Sequence, residues 1–73
     1  MPMYYLYILK KDNEWYIGYT ENLKRRIKQH QTYNKVQLVY YESYSEKKLA
    51  TQREKQLKHY GSAWRALRDR ITA

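Results

Sequence analysis

Arg26 and Glu54 stand at the edges of two apolar stripes, and a cluster of tyrosines lies upstream of both. Leu23 and Ile27, four residues apart, mark the inward face of one helix. At about 100° per residue, Arg26 and His30 fall beside that face, one turn apart. Lys24, Arg25, Lys28 and Gln29 point elsewhere, so the adjacent arginines differ: Arg25 reads as a surface charge, Arg26 as held against the body of the protein. Farther along, Leu49, Ala50, Leu57 and Tyr60 share one side of a second helix, with Glu54 at its margin. A guanidinium neutralises charge on a phosphoryl group in the transition state. A carboxylate holds one hard divalent cation, with water and phosphate completing its shell. The cation polarises a phosphate oxygen. A tyrosine of lowered pKa activates water. Together these make a phosphodiester site. Singly, each has a plainer account: a rim glutamate is commonly solvated, and a rim arginine commonly lies along packed side chains.

The elements that must bring these residues together are legible by period. MYYLYILK (3–10) alternates Tyr5, Tyr7 and Leu9 against Tyr4, Leu6 and Ile8, a strand pattern. Lys11-Asp12-Asn13-Glu14 is a turn, and WYIGY (15–19) resumes the strand, giving a hairpin. Gly18 there implies a bend or a close approach of backbone. Thr20 or Asn22 caps the first helix, with Glu21 near its positive end. Residues 31–36 form a polar link, and QLVYYES (37–43) a third strand. Ser45 caps a helix beginning near Glu46, which Gly61 ends as the residue after its C-cap. Ser62 caps a last helix with Trp64, Leu67 and Ile71 inward and Arg65, Arg68 and Arg70 outward. The expected order is β-β-α-β-α-α in one domain spanning 1–73.

Composition narrows the class. The net charge of +8 lies mostly in two helical blocks. Residues 20–30 have four basic residues against Glu21, and residues 47–73 have eight against Glu54 and Asp69. That asymmetry points to a polyanion partner. Zero cysteines exclude a disulfide and a thiolate metal site, and two isolated histidines do not make a structural zinc site. No Gly-rich phosphate loop, nucleophilic triad pattern or glycosidase carboxylate pair is present. The Met3–Leu9 run is too short and too polar for a signal or a membrane span, which leaves a soluble cytoplasmic protein as the expectation. A core this small makes self-association plausible. Most of the ten tyrosines serve packing, with the ring inward and the hydroxyl at water. Tyr4, Tyr33, Tyr40, Tyr41, Tyr44 and Tyr60 are assigned to packing or surface.

In order and spacing these segments resemble the GIY-YIG nuclease superfamily, in particular its small stand-alone members. Tyr5-Leu6-Tyr7 looks like the first motif and Tyr16-Ile17-Gly18 the second. YIGYTENLKRRIKQH resembles the second motif running into the arginine helix. LVYYES followed by EKKLATQREKQLKHYGSAW resembles the third strand and the glutamate helix. The resemblance implies an α+β fold, a three-stranded antiparallel sheet flanked by helices. It implies a site of Tyr7, Tyr16, Arg26, His30 and Glu54. One tyrosine acts as general base or water-positioner and the other supports it. Arg26 contacts the scissile phosphate, His30 hydrogen-bonds within the site, and Glu54 is the ligand of one Mg²⁺ or Mn²⁺. Gly18 lets backbone come close, and Gly18, Lys24, Arg25 and Lys28 are the nucleic-acid contacts. Tyr5 stands where the first motif carries glycine, and no separate DNA-binding domain is expected within these 73 residues. The implied activity is metal-dependent endonucleolytic hydrolysis of DNA. The competing expectations are a nucleic-acid-binding module that keeps the fold without cleavage, and a basic domain that docks on another protein.

Overall fold

Tyr4–Lys11 and Glu14–Thr20 form strands β1 and β2 of a hairpin whose closing pair is Lys11↔Glu14. The turn is therefore Asp12-Asn13 alone, tighter than the expected four residues, with Asp12 at φ 54°. That is the left-handed region, which Asp and Asn tolerate better than other side chains do. Helix α1 (Leu23–Tyr33), strand β3 (Gln37–Tyr44), helix α2 (Lys47–His59) and helix α3 (Gly61–Thr72) complete the expected order. The computed structural model describes residues 2–33 and 35–72, so Asn34 and the assignment of Tyr33 to packing or surface lie outside the described positions and side chains.

The sheet is antiparallel with order β2-β1-β3. β1 is central, which explains why Leu6, Tyr7, Ile8 and Leu9 are all buried: both faces of the middle strand are covered. Leu6 and Ile8 join Leu57 of α2 and Leu67 of α3 in the main core. Trp15, Ile17, Tyr40, Tyr44 and Trp64 pack around it. Trp15 and Trp64 meet edge to face with centroids 5.5 Å apart, tying the hairpin to α3. Truncating Leu57 to Ala would cost about 2–5 kcal/mol. The other sheet face carries Tyr5, Tyr7, Tyr16 and Gly18, and α1 lies over it.

Register breaks once. Ile8 pairs with Tyr40 but Leu9 pairs with Leu38, leaving Val39 as the extra residue of a β-bulge. Both Val39 and Tyr40 therefore turn to the main core. Leu38 and Tyr41, three apart in sequence, share the α1 face.

Four boundary expectations are corrected. α1 continues to Tyr33, so the link before β3 is shorter than 31–36. The N-cap of α2 is Glu46, with no side-chain cap bond, rather than Ser45. Gly61 is not a left-handed terminator: α2 ends at an extended Tyr60 (φ −116°), and Gly61 already opens α3 without a Ser62 cap. The Ala63 N–H donates to the Tyr60 carbonyl at 3.0 Å, so one helix follows the other with no loop between. Leu49 and Tyr60, expected inward, are 42% and 65% exposed. Ala50 and Leu57 alone are the buried residues of α2.

Candidate active site

The site begins with the cap of α1. The Asn22 side-chain oxygen accepts from the Arg25 N–H at 3.0 Å, fixing Asn22 as N-cap. Buried Thr20 braces it, its hydroxyl accepting from the Asn22 N–H at 3.1 Å. Both candidate caps thus serve, one behind the other. They set the phase of α1, and Arg26 and His30 follow at one-turn intervals on the flank toward β2.

His30 meets two tyrosines there. Its Nε2 lies 3.2 Å from the Tyr7 hydroxyl. Ring centroids are 5.9 Å apart for Tyr7–His30, 5.2 Å for Tyr16–His30 and 6.2 Å for Tyr7–Tyr16. Tyr7 is 1% exposed and Tyr16 50%. One hydroxyl is held inside the cluster, and its neighbour belongs to a ring open to solvent.

Gly18 explains how Tyr7 fits. The two residues are direct cross-strand partners. A Cβ on Gly18 would overlap the Tyr7 ring, where Cε1 at 2.9 Å is the most distant of the three nearest atoms. Gly18 is itself buried, and its close neighbour within the chain is Tyr7. Its φ is not positive, so it is the space that demands glycine, not the backbone conformation.

The Tyr7 hydroxyl does not have the lowered pKa that a tyrosinate base requires. Desolvation, then the neighbouring Tyr16, push it up to about 12. Arg26 acts in the opposite direction, and Glu54 adds to the rise. Both charges therefore act on this hydroxyl, and Glu54 acts on that of Tyr19 as well. Arg26 is exposed rather than held against the body, and its guanidinium has no hydrogen bond or ion pair with another described residue. Glu54 is half-buried and bonded to Lys58 at 3.4 Å, an i,i+4 pair on α2. Among the described residues no group of three or more His, Cys, Asp or Glu could hold a metal. Glu54 offers one carboxylate as a hard oxygen ligand. That suits an ion that keeps most of its water, and not a caged one.

The four basic residues of α1 do not converge. Arg25 and Arg26 line a depression with Thr20, Glu21, Asn22 and Gln29. Lys24 and Lys28 line a separate groove on the opposite flank, toward β3.

A second polar cluster escaped the sequence reading. Glu42 of β3 accepts from Arg53 Nε at 3.0 Å and Arg53 Nη2 at 3.2 Å, and from the Tyr40 hydroxyl at 2.6 Å and the Tyr44 hydroxyl at 2.5 Å. Burial raises the Glu42 pKa, but these bonds outweigh it and hold the carboxyl below its ordinary range. The signal was available: Glu42 is the charged member of an alternation, Tyr40-Glu42-Tyr44, whose tyrosines face the core.

Comparison with known proteins fits this geometry. The GIY-YIG catalytic domain matches residues 3–67. This chain belongs to the GIY-YIG family. It is similar to the UPF0213 protein SH2523 of Staphylococcus haemolyticus, 40% identical over 70 residues, covering 82% of this chain and 85% of that protein. It is also similar to the UPF0213 protein YazA of Bacillus subtilis, 41% identical over 61 residues. That match covers 70% of this chain but 62% of YazA, so the chain spans under two thirds of that relative's length. The solution NMR structure of the UPF0213 protein BH0048 from Bacillus halodurans superposes with a TM-score of 0.56 at 33% identity, covering 78% of this chain and 71% of that one. The GIY-YIG family is one of nucleases that use divalent metals, whereas the names of these UPF0213 relatives state no activity. No described helix is long and apolar enough to cross a membrane.

Proposed function

We propose that this domain is a divalent-metal-dependent endonuclease that hydrolyses DNA phosphodiester bonds, with Tyr7, Tyr16, Arg26, His30 and Glu54 as its site. The observation that carries this reading is the Tyr7–Tyr16–His30 cluster, with the Tyr7 hydroxyl 3.2 Å from His30 Nε2 and within the electrostatic reach of Arg26 and Glu54. Among the described residues the Arg26 guanidinium has no partner, so its charge is free for a phosphate. Glu54 would hold one Mg²⁺ or Mn²⁺ in place of Lys58, and the ion would supply Lewis-acid stabilisation of the phosphoryl oxygens.

The raised pKa assigns the tyrosines different work. Tyr7 keeps its proton at neutral pH. It acts as a relay, taking a proton from the attacking water as it gives its own to His30 Nε2, in the tautomer that leaves Nε2 an acceptor. Tyr16, open to solvent, orients that water. The water oxygen bonds to phosphorus, the P–O ester bond breaks, and the leaving oxygen is protonated from solvent. Arg26 balances the charge that builds on the phosphoryl oxygens.

Plasmid nicking with Mg²⁺ or Mn²⁺ tests this, comparing the natural sequence with Glu54→Ala and Arg26→Ala. Nicking by the natural sequence alone is the expected result. Equal nicking by all three would mean a wrong site or a contaminant. The second reading, a nucleic-acid-binding module, draws on the single-carboxylate metal site and its internal pairing with Lys58. It predicts no nicking, with DNA binding that Glu54→Ala leaves unchanged.

A further inference from the structure

Helix α1 divides its sheet face into two sides, and the proposed chemistry uses only one. With Leu23 at 0°, Arg26 and His30 fall at about 300° and 340°, toward the tyrosine cluster. Ile27, Lys24 and Lys28 fall at about 40°, 100° and 140°, toward β3. On that second side lies an open groove of about 630 Å³. Its walls are Leu23 and Ile27 of α1, Tyr5 of β1, and Leu38 and Tyr41 of β3, and Lys24 and Lys28 stand on its rim. Tyr41 is 53% exposed and meets Tyr5 edge to face, with centroids 6.3 Å apart. The bulge at Val39 puts Leu38 on the same face as Tyr41.

We propose that this groove seats an unpaired nucleobase of the strand being cleaved, stacked on Tyr41, with Lys24 and Lys28 on the flanking phosphates. The proposal rests on the nuclease reading for the strand's identity, and it makes strands with an unpaired base the preferred substrates. Three observations favour this occupant. The walls are apolar and aromatic, and stacking on an aromatic ring accepts any base. The rim carries Lys24 and Lys28 against Glu21, a net positive charge that suits a polyanion and not a second copy of this +8 chain. The groove and the tyrosine cluster share α1 and β1, where Tyr5 and Tyr7 are two residues apart on one face. One strand lying over α1 therefore reaches both. A base paired within a duplex has both faces stacked and cannot enter.

The test is binding in EDTA, where cleavage cannot intervene. Fluorescence anisotropy compares a short single-stranded DNA, a ribonucleotide strand of the same length and a blunt duplex DNA. The single strands carry 2-aminopurine at one position to report stacking. Tyr41→Ala should weaken single-strand binding about tenfold and abolish the 2-aminopurine quenching, leaving duplex binding within twofold. Tyr41→Phe should match the natural sequence. Tyr41 dependence in either single strand supports the seat, and the stronger binder identifies the sugar. Unchanged single-strand affinity in Tyr41→Ala, or an equal loss on duplex, overturns it. A dimer in sedimentation that Tyr41→Ala dissociates without changing strand affinity also overturns it, making the groove a self-interface. Failure to nick plasmid, with the Tyr41 pattern intact, breaks the nuclease reading and leaves the seat standing. Normal nicking with no Tyr41 effect on binding does the reverse.

Discussion

Two polar clusters flank the same sheet, and they are built on opposite terms. On the α2 side, Glu42 is surrounded by donors: two from Arg53 and one each from Tyr40 and Tyr44. Its charge is balanced inside the protein. Around Tyr7, the hydroxyl meets His30 and Tyr16, while among the described residues the Arg26 guanidinium has no partner and Glu54, reaching in from α2, pairs with Lys58. A satisfied buried carboxylate fixes structure, because every donor it holds is lost if it moves. Charges left open around one buried hydroxyl gain nothing for the fold. They gain their partners when a ligand arrives. The contrast separates two glutamates that sequence alone treats alike: Glu42 holds α2 to β3, and Glu54, next in sequence to Arg53, has only the partly exposed Lys58 to give up.

The sharpest way to break this contrast is to remove the open charges. Glu54→Ala and Arg26→Ala should each lower the nicking rate by at least about 100-fold. Neither should shift the urea unfolding free energy by more than about 0.5 kcal/mol, since neither side chain is part of a satisfied buried network. A stability loss as large as that of a core residue would mean the α1 cluster is structural too.

The converse variant is Glu42→Ala. It strands the Arg53 guanidinium and two tyrosine hydroxyls in a partly buried setting, and should cost about 2 kcal/mol in urea unfolding. Its nicking rate below the unfolding transition should fall far less than that of Glu54→Ala. An unfolding free energy within about 0.5 kcal/mol of the natural sequence would show that the network contributes little net stability.

Gly18→Ala sharpens the contrast within the site. The added methyl has to push Tyr7 off its strand partner, so the hydroxyl leaves His30. Nicking should fall about tenfold or more, as small misplacements of reacting groups do, with DNA affinity retained. An unaltered rate would mean that the Tyr7 hydroxyl has no part in the reaction.

Much of this arrangement is written in short-range pattern. Period-two alternation marks Leu6 and Ile8 as one face of β1 and Tyr5 and Tyr7 as the other. Helical angles set Arg26 and His30 on one flank of α1, apart from Lys24 and Lys28. What pattern does not carry is pairing at a distance. Glu42 finds Arg53 eleven residues later, through the packing of α2 on β3. The bulge that brings Leu38 onto the face of Tyr41 is a register event between β1 and β3, with no turn residue to announce it. Gly61 misleads because glycine after a helix commonly adopts positive φ, whereas here the next helix starts at once. The direction of the Tyr7 shift is also invisible in sequence. It depends on burial outweighing Arg26, a balance that exists only once β1 is the central strand.

The smallest effects are in pH, and they fall at opposite ends of the scale for the two clusters. The folded protein holds the Glu42 carboxyl below its ordinary pKa. Its contribution is thus complete above the ordinary carboxyl range and is lost as pH falls toward the depressed value, where the unfolded chain already binds the proton. Tyr7 runs the other way. Its pKa is raised to about 12 by burial and by Tyr16, so its contribution is complete below about pH 10 and is lost as pH rises from there toward 12. Tyr44, raised to about 12 by burial and then by its bond to Glu42, adds to the same alkaline loss. Unfolding curves across pH should therefore show that Glu42→Gln flattens the acid limb and Tyr7→Phe flattens only part of the alkaline limb, since Tyr44, Tyr40 and Tyr19, all raised, retain the rest. An alkaline limb unchanged in Tyr7→Phe would mean that this hydroxyl ionises in the folded state as readily as in the unfolded chain. The relay to His30 would then give way to a tyrosinate base, and the nicking rate would climb with pH along that ionisation.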